Sequence, residues 1–244
     1  MNFDEHVAST KDDAARIVVA ASAAGRDVDV PTCPEWRMAD LLGHLGRVHA
    51  WARMNVERQD PQTRTRFREL PELPDDGALV EWFETGCTTL VDALESSPPD
   101  LAVWTWAPPG EARFWARRMA HETAIHRLDA ELAAGRVTAP FDPRSSVDGI
   151  DEVLVNMAYR PSGSIPRGNG ESLHVHATDE DGEWLVRLTP DGPDVTREHA
   201  KGDVAARGPA AQLFSMLWGR WNPDDLEVLG DEQLLARFLA ESTV

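Results

Sequence analysis

Cysteine is scarce in this chain: 244 residues contain only Cys33 and Cys87, and neither belongs to a C-x-x-C motif or a Cys/His cluster. That excludes a disulfide framework, a thiolate metal knot and a vicinal redox pair, and it fits a reducing cytoplasm. Long hydrophobic runs are also missing. None approaches the roughly 20 apolar residues needed to span a bilayer, and the N-terminus lacks the basic start, apolar core and cleavage site of an export signal. A cytoplasmic protein without a membrane partner is expected. Positive charge is outweighed, with 24 Lys+Arg against 42 Asp+Glu, a net charge of -18 and a pI near 4.7. Such a field repels nucleic acid, so no nucleic-acid partner is expected, and an anionic substrate needs local arginines to reach its site. No internal repeat is found, and no low-complexity tract longer than a loop.

What is present is enough apolar material, 42% of residues, for one large or two ordinary domains. Four segments before about residue 135 carry helical periodicity. The first runs from Asn2 to Ala24, with Val7, Ala14, Ile17 and Val18 on its stripe and Gly25 as its stop. The second follows Pro34 and runs to about Arg58 with Leu41, Leu45, Val48 and Ala52. After the loop Asp60–Asp76, the third carries Leu79, Trp82, Phe83, Leu90 and Leu94, and it breaks at Ser96-Ser97-Pro98-Pro99. The fourth spans about Ala112 to Ala134 with Trp115, Met119, Ile125 and Leu132. Four helices of this length predict a bundle.

Beyond Pro140 the texture changes. A helical piece from Ile150 to Met157 precedes a Gly/Pro/Ser-rich stretch, Pro161 to Gly170, and then period two takes over. Leu173, Val175 and Ala177 alternate with Ser172, His174, His176 and Thr178, Asp181-Gly182 turns the chain, and Trp184 to Leu188 completes a hairpin. Another strand is expected over Asp203 to Arg207, and helices over Pro209 to Arg220 and Asp231 to Leu239. The predicted fold is therefore mainly α, with a four-helix bundle over residues 1–142 and a small α+β domain over 143–244.

The strongest chemical constellation lies on the second and fourth helices. His44, three residues after Leu41 and four before Val48, flanks a buried stripe, and Glu122 and His126 are stacked one turn apart. Two imidazoles and a carboxylate suit a borderline dication, and a catalytic site of this kind keeps further positions open. The plainer reading is an ion pair of Glu122 with Arg118 and a core histidine at 44. His121 is rotated by about 100° from Glu122 and is excluded. His49 is kept only as a residue that touches a ligand. Arg117, Arg118 and Arg127 are expected to face solvent or to pair with Glu122, Asp129 or Glu131. Cys33, between Thr32 and Pro34 with no inferable base, reads as structural rather than nucleophilic. Trp36, Trp51, Trp104, Trp106 and Trp115 are expected in the core or in a cleft wall.

Longer motifs bear on the same residues. The stretch Val30-Pro31-Thr32-Cys33-Pro34-Glu35-Trp36, leading to Asp40-Leu41-Leu42-Gly43-His44-Leu45, together with Trp115 to Glu131, resembles the mycothiol-dependent maleylpyruvate isomerase family. Asp148-Gly149-Ile150-Asp151-Glu152 and Leu217-Trp218-Gly219-Arg220 resemble it too. The resemblance implies a DinB-like metal-binding bundle followed by a sterol-carrier-like α+β domain. It also implies a divalent metal, zinc or nickel, on His44, Glu122 and His126, with mycothiol, a thiol of actinobacteria, as cosubstrate. A functional arginine would map onto Arg220, which either grips a substrate carboxylate bidentately or complements a helix C-terminus. In an isomerase the thiolate adds to a conjugated double bond, the resulting single bond rotates, and the thiolate leaves. In a mycothiol S-transferase the thiolate stays attached to the electrophile. A non-catalytic metal-binding protein or a carrier of apolar ligands is the reading outside enzymology.

Overall fold

Asn2 opens the first helix, α1 (Phe3–Ala24), with a reciprocal cap in which its side chain accepts from the Glu5 amide at 2.9 Å and its own amide donates to Glu5 at 2.6 Å. Gly25, at φ 83°, ends it. In the computed structural model, residues 1–136, 138, 140–160, 165–221 and 223–242 are described, Asp76 by its backbone alone. Helix α2 (Met38–Arg58) starts four residues after Pro34, three later than expected, because residues 30–36 fold into tight turns. There the Cys33 amide donates to the Val30 carbonyl at 3.0 Å and the Trp36 amide to that of Cys33 at 2.8 Å. Helices α3 (Leu79–Glu95) and α4 (Ala112–Ala133) follow.

Helix α1 packs on α3 and α4, and α2 packs on the same two, so the four close around one core. Ile17, Leu41, Leu45, Phe83, Leu90, Trp115 and Met119 are buried in it. Leu132, expected on the apolar stripe, is instead exposed in the last turn of α4. Trp51 stacks on Trp106 at 5.7 Å and meets Trp115 edge-on at 5.0 Å, while the Trp115 indole donates to the Trp104 carbonyl at 2.8 Å. Four of the five tryptophans thus form one wall, leaving Trp36 elsewhere.

These helices make up one compact unit, Met1–Ala139, and the rest of the chain, Pro140–Val244, makes up a second. The second opens with α5 (Pro143–Asp151), which begins seven residues earlier than the expected Ile150. Pro143 suits the first helical position, and the Asp142 side chain caps the Ser145 amide at 3.0 Å. A π-helical turn, Glu152–Asn156, and a 3-10 turn, Met157–Tyr159, continue it. Of the Gly/Pro/Ser-rich stretch, residues 161–164 lie outside the described residues.

Among the described residues five strands form one mixed sheet: β1 (Ser172–Ala177), β2 (Glu183–Thr189), β3 (Gly192–Thr196), β4 (Val204–Gly208) and β5 (Glu227–Gly230), in the order β3-β2-β1-β4-β5. The expected hairpin is β1–β2, and β1 also pairs in parallel with β4. The edge strands β3 and β5 were not expected. Helix α6 (Ala210–Leu217) packs on β1 and β4, and α7 (Glu232–Glu241) packs on β4. The chain is mainly α, a four-helix bundle followed by a small α+β unit. Among the described residues no helix is long and apolar enough to cross a membrane.

Candidate metal centre

Because α2 and α4 are neighbours, their inward residues meet. His44 Nε2 lies 3.2 Å from Glu122 Oε1, and His126 Nε2 lies 3.5 Å from the same oxygen. The donor atoms of all three fall within 4.8 Å of one another. Tetrahedral zinc with bonds of about 2.0–2.1 Å places its ligand atoms about 3.3 Å apart, so this donor set fits such a cation in type and in spacing.

The surroundings orient the donors. His126 Nδ1 lies 2.9 Å from Asp129 Oδ2, and a carboxylate on that nitrogen selects the tautomer whose Nε2 lone pair faces the cluster. Asp129 is itself held, accepting from Thr32 Oγ1 at 2.5 Å and from the Cys33 thiol at 3.8 Å. Arg118 pairs with Glu122 Oε2. The plainer ion pair therefore exists beside the cluster, occupying one carboxylate oxygen and leaving Oε1 to the histidines. Trp36 covers both rings, 4.9 Å from His44 and stacked 5.9 Å from His126. Access is one-sided: the His44 side chain is 37% exposed against 9% for Glu122 and 5% for His126.

Other sequence-singled residues lie apart from this point. His121 is buried and meets His6 edge-on at 5.8 Å. His49 bonds to Thr123 Oγ1 at 2.9 Å and stacks on Phe83. Burial, and secondarily the nearby His126 and His44, push its pKa down to about 3, and its Nδ1 is buried without a hydrogen-bond partner. It is a neutral core histidine. Arg127 is buried between Asp13 at 2.8 Å and Glu131 at 2.9 Å. Cys33 is half-buried beside Asp129, and burial pushes the Cys87 thiol up to about 12. Arg220 belongs to the second unit, where it follows Gly219 at φ 69° and donates to the Trp218 carbonyl at 2.6 Å.

Two features escaped the sequence reading. Asp129 is expected from the sequence only as an arginine partner, although the His126-x-x-Asp129 spacing, one helical turn, is the signal for its contact with His126. The placement of Trp36 over the rings had none, because it depends on how the turn after Pro34 folds back.

Fold and site together define a class of protein: a helical bundle with a histidine–carboxylate cluster between two of its helices, followed by a small α+β unit. Residues 7–131 match the family model "Mycothiol maleylpyruvate isomerase N-terminal domain" and residues 144–237 match "MDMPI C-terminal domain". The chain belongs to the mycothiol maleylpyruvate isomerase family. The crystal structure of the mycothiol-dependent maleylpyruvate isomerase is similar in fold, with a TM-score of 0.65 at 14% identity over 93% of each chain. A histidine-to-alanine mutant of that isomerase gives 0.65 at 15% identity, also over 93% of each chain. No curated protein matches the chain by sequence.

Proposed function

We propose that this protein is a mycothiol-dependent enzyme of the maleylpyruvate cis–trans isomerase type, acting in the cytoplasm with a divalent metal, zinc or nickel, held by His44, Glu122 and His126. The observation that carries the reading is the convergence of these three donors, in a chain whose two units both match the family. A dication bound there lowers the pKa of a coordinated thiol, so that a thiolate is available at neutral pH without a dedicated base.

The protein's own residues supply the rest. Arg118 fixes Glu122 through one oxygen, Asp129 holds the His126 ring, and Trp36 packs against both imidazoles. The exposed flank of His44 is the entry for the thiol and the electrophile. Arg220 takes the role of gripping a substrate carboxylate, which its planar fork suits, in a molecule whose net charge of -18 otherwise repels anions.

His44→Ala or His126→Ala is expected to abolish metal retention by elemental analysis together with thiol-dependent turnover, while His121→Ala keeps both. The opposite pattern overturns the reading. Following free thiol during turnover separates the chemistries, since an isomerase returns it and an S-transferase consumes it.

A further inference from the structure

The α+β unit carries a second histidine–carboxylate cluster, far from the first in sequence and on different elements. His174 and His176 alternate with Leu173 and Val175 along β1, so both histidines project from the face opposite those buried apolar side chains. Glu183, the first residue of β2, stands directly across from His176 in the antiparallel register. The fourth member, His199, comes from the seven residues, 197–203, that carry the chain from β3 past β2 and β1 to β4.

The four side chains gather around the Glu183 carboxylate. Its Oε2 lies 2.7 Å from His199 Nδ1 and 3.3 Å from His174 Nε2, and its Oε1 lies 3.5 Å from His176 Nδ1. One donor atom from each falls within 4.8 Å of the others. The rings meet edge-on rather than face to face, with interplanar angles of 66–88° at centroid separations of 5.6–6.1 Å. Arg207, which neighbours His176 across the β1–β4 ladder, is held by Glu227 at 2.6 Å.

We propose that His174, His176, Glu183 and His199 form a second metal site, specific for a borderline divalent transition cation such as Zn2+, Co2+ or Ni2+. Three imidazoles and one carboxylate are a complete tetrahedral set for such ions, and magnesium or calcium would prefer oxygen donors. The long-range field of a chain with net charge -18 favours a cation. With His199 on the crossover and the other three donors on the strands beneath it, a bound cation pins residues 197–203 to the sheet. Four protein donors leave no vacant position, so the site is structural, unlike the three-donor cluster of the bundle.

The test uses the full chain stripped of metal by a chelator and titrated with Co2+ and Zn2+. The visible bands of tetrahedral Co2+, calorimetry and elemental analysis give the stoichiometry. The double substitution His176→Ala/His199→Ala is expected to remove one equivalent that the parent binds and that His44→Ala still retains. Equal stoichiometry in the parent and the double variant overturns the proposal. Hydrogen exchange on the parent protein supplies an arm that needs no variant: saturating Zn2+ slows exchange across residues 197–203, and unchanged exchange there counts against the site.

Discussion

At the scale of single residues, what distinguishes a ligand from an ordinary buried histidine is its partner. His49 and His126 are both buried in the bundle, yet His126 has one nitrogen on a carboxylate and the other facing a second carboxylate. His49 instead shares a hydroxyl with Thr123 and keeps an unpartnered Nδ1, so protonating its ring would bury a charge and an unsatisfied donor together. Asp129 therefore matters more than its place outside the donor set suggests. Asp129→Asn keeps the shape but removes the charge that favours the ligating tautomer, and it is expected to weaken metal affinity by about 10–100-fold. Competition against a chromophoric chelator measures this, and unchanged affinity would show that Asp129 only anchors Thr32 and Cys33.

At the scale of elements, the helices of the bundle were legible because each carries an apolar stripe three or four turns long and ends on a breaker such as Gly25. The same method set α5 too late, since Asp142 and Pro143 start the helix before any apolar residue appears. It also missed β3 and β5. Both are short edge strands without a buried residue, so neither shows the apolar alternation that marks a half-buried strand. Strand β5 depends on Gly230, which sits at φ 101° where an added Cβ would overlap the Asp203 carbonyl oxygen. Gly230→Ala is expected to lower stability by about 2 kcal/mol or more, from left-handed strain plus overlap with the backbone. Urea unfolding reads the loss, and a shift below about 0.5 kcal/mol would show that the β4–β5 ladder yields at little cost.

At the scale of the whole molecule, the two units carry different parts of the proposed chemistry, the cation-binding side chains in Met1–Ala139 and Arg220 in Pro140–Val244. A charge-assisted bidentate contact is worth about 1.5–3 kcal/mol, so Arg220→Ala is expected to lower kcat/KM by about 10- to 100-fold at unchanged metal content. Arg220→Lys should recover part of the loss, as a point charge without the fork. If Arg220 served only the end of α6, where it donates to Trp218, the melting temperature would fall while KM stayed the same.

The amino-acid order by itself determined the local features: helix periods, the i,i+4 stacking of Glu122 and His126, and the hairpin at Asp181-Gly182. Each follows from backbone geometry over a few residues. Helix geometry also put His44 on an inward flank, but only the packing of α2 on α4 brought it to Glu122 Oε1, and only the turn after Pro34 laid Trp36 over the rings. The cluster on the sheet was hidden for the same reason. His176 and His199 are separated by two strands and their connections, so their meeting is decided by strand order and the path of the crossover, which the spacing of residues along the chain does not encode.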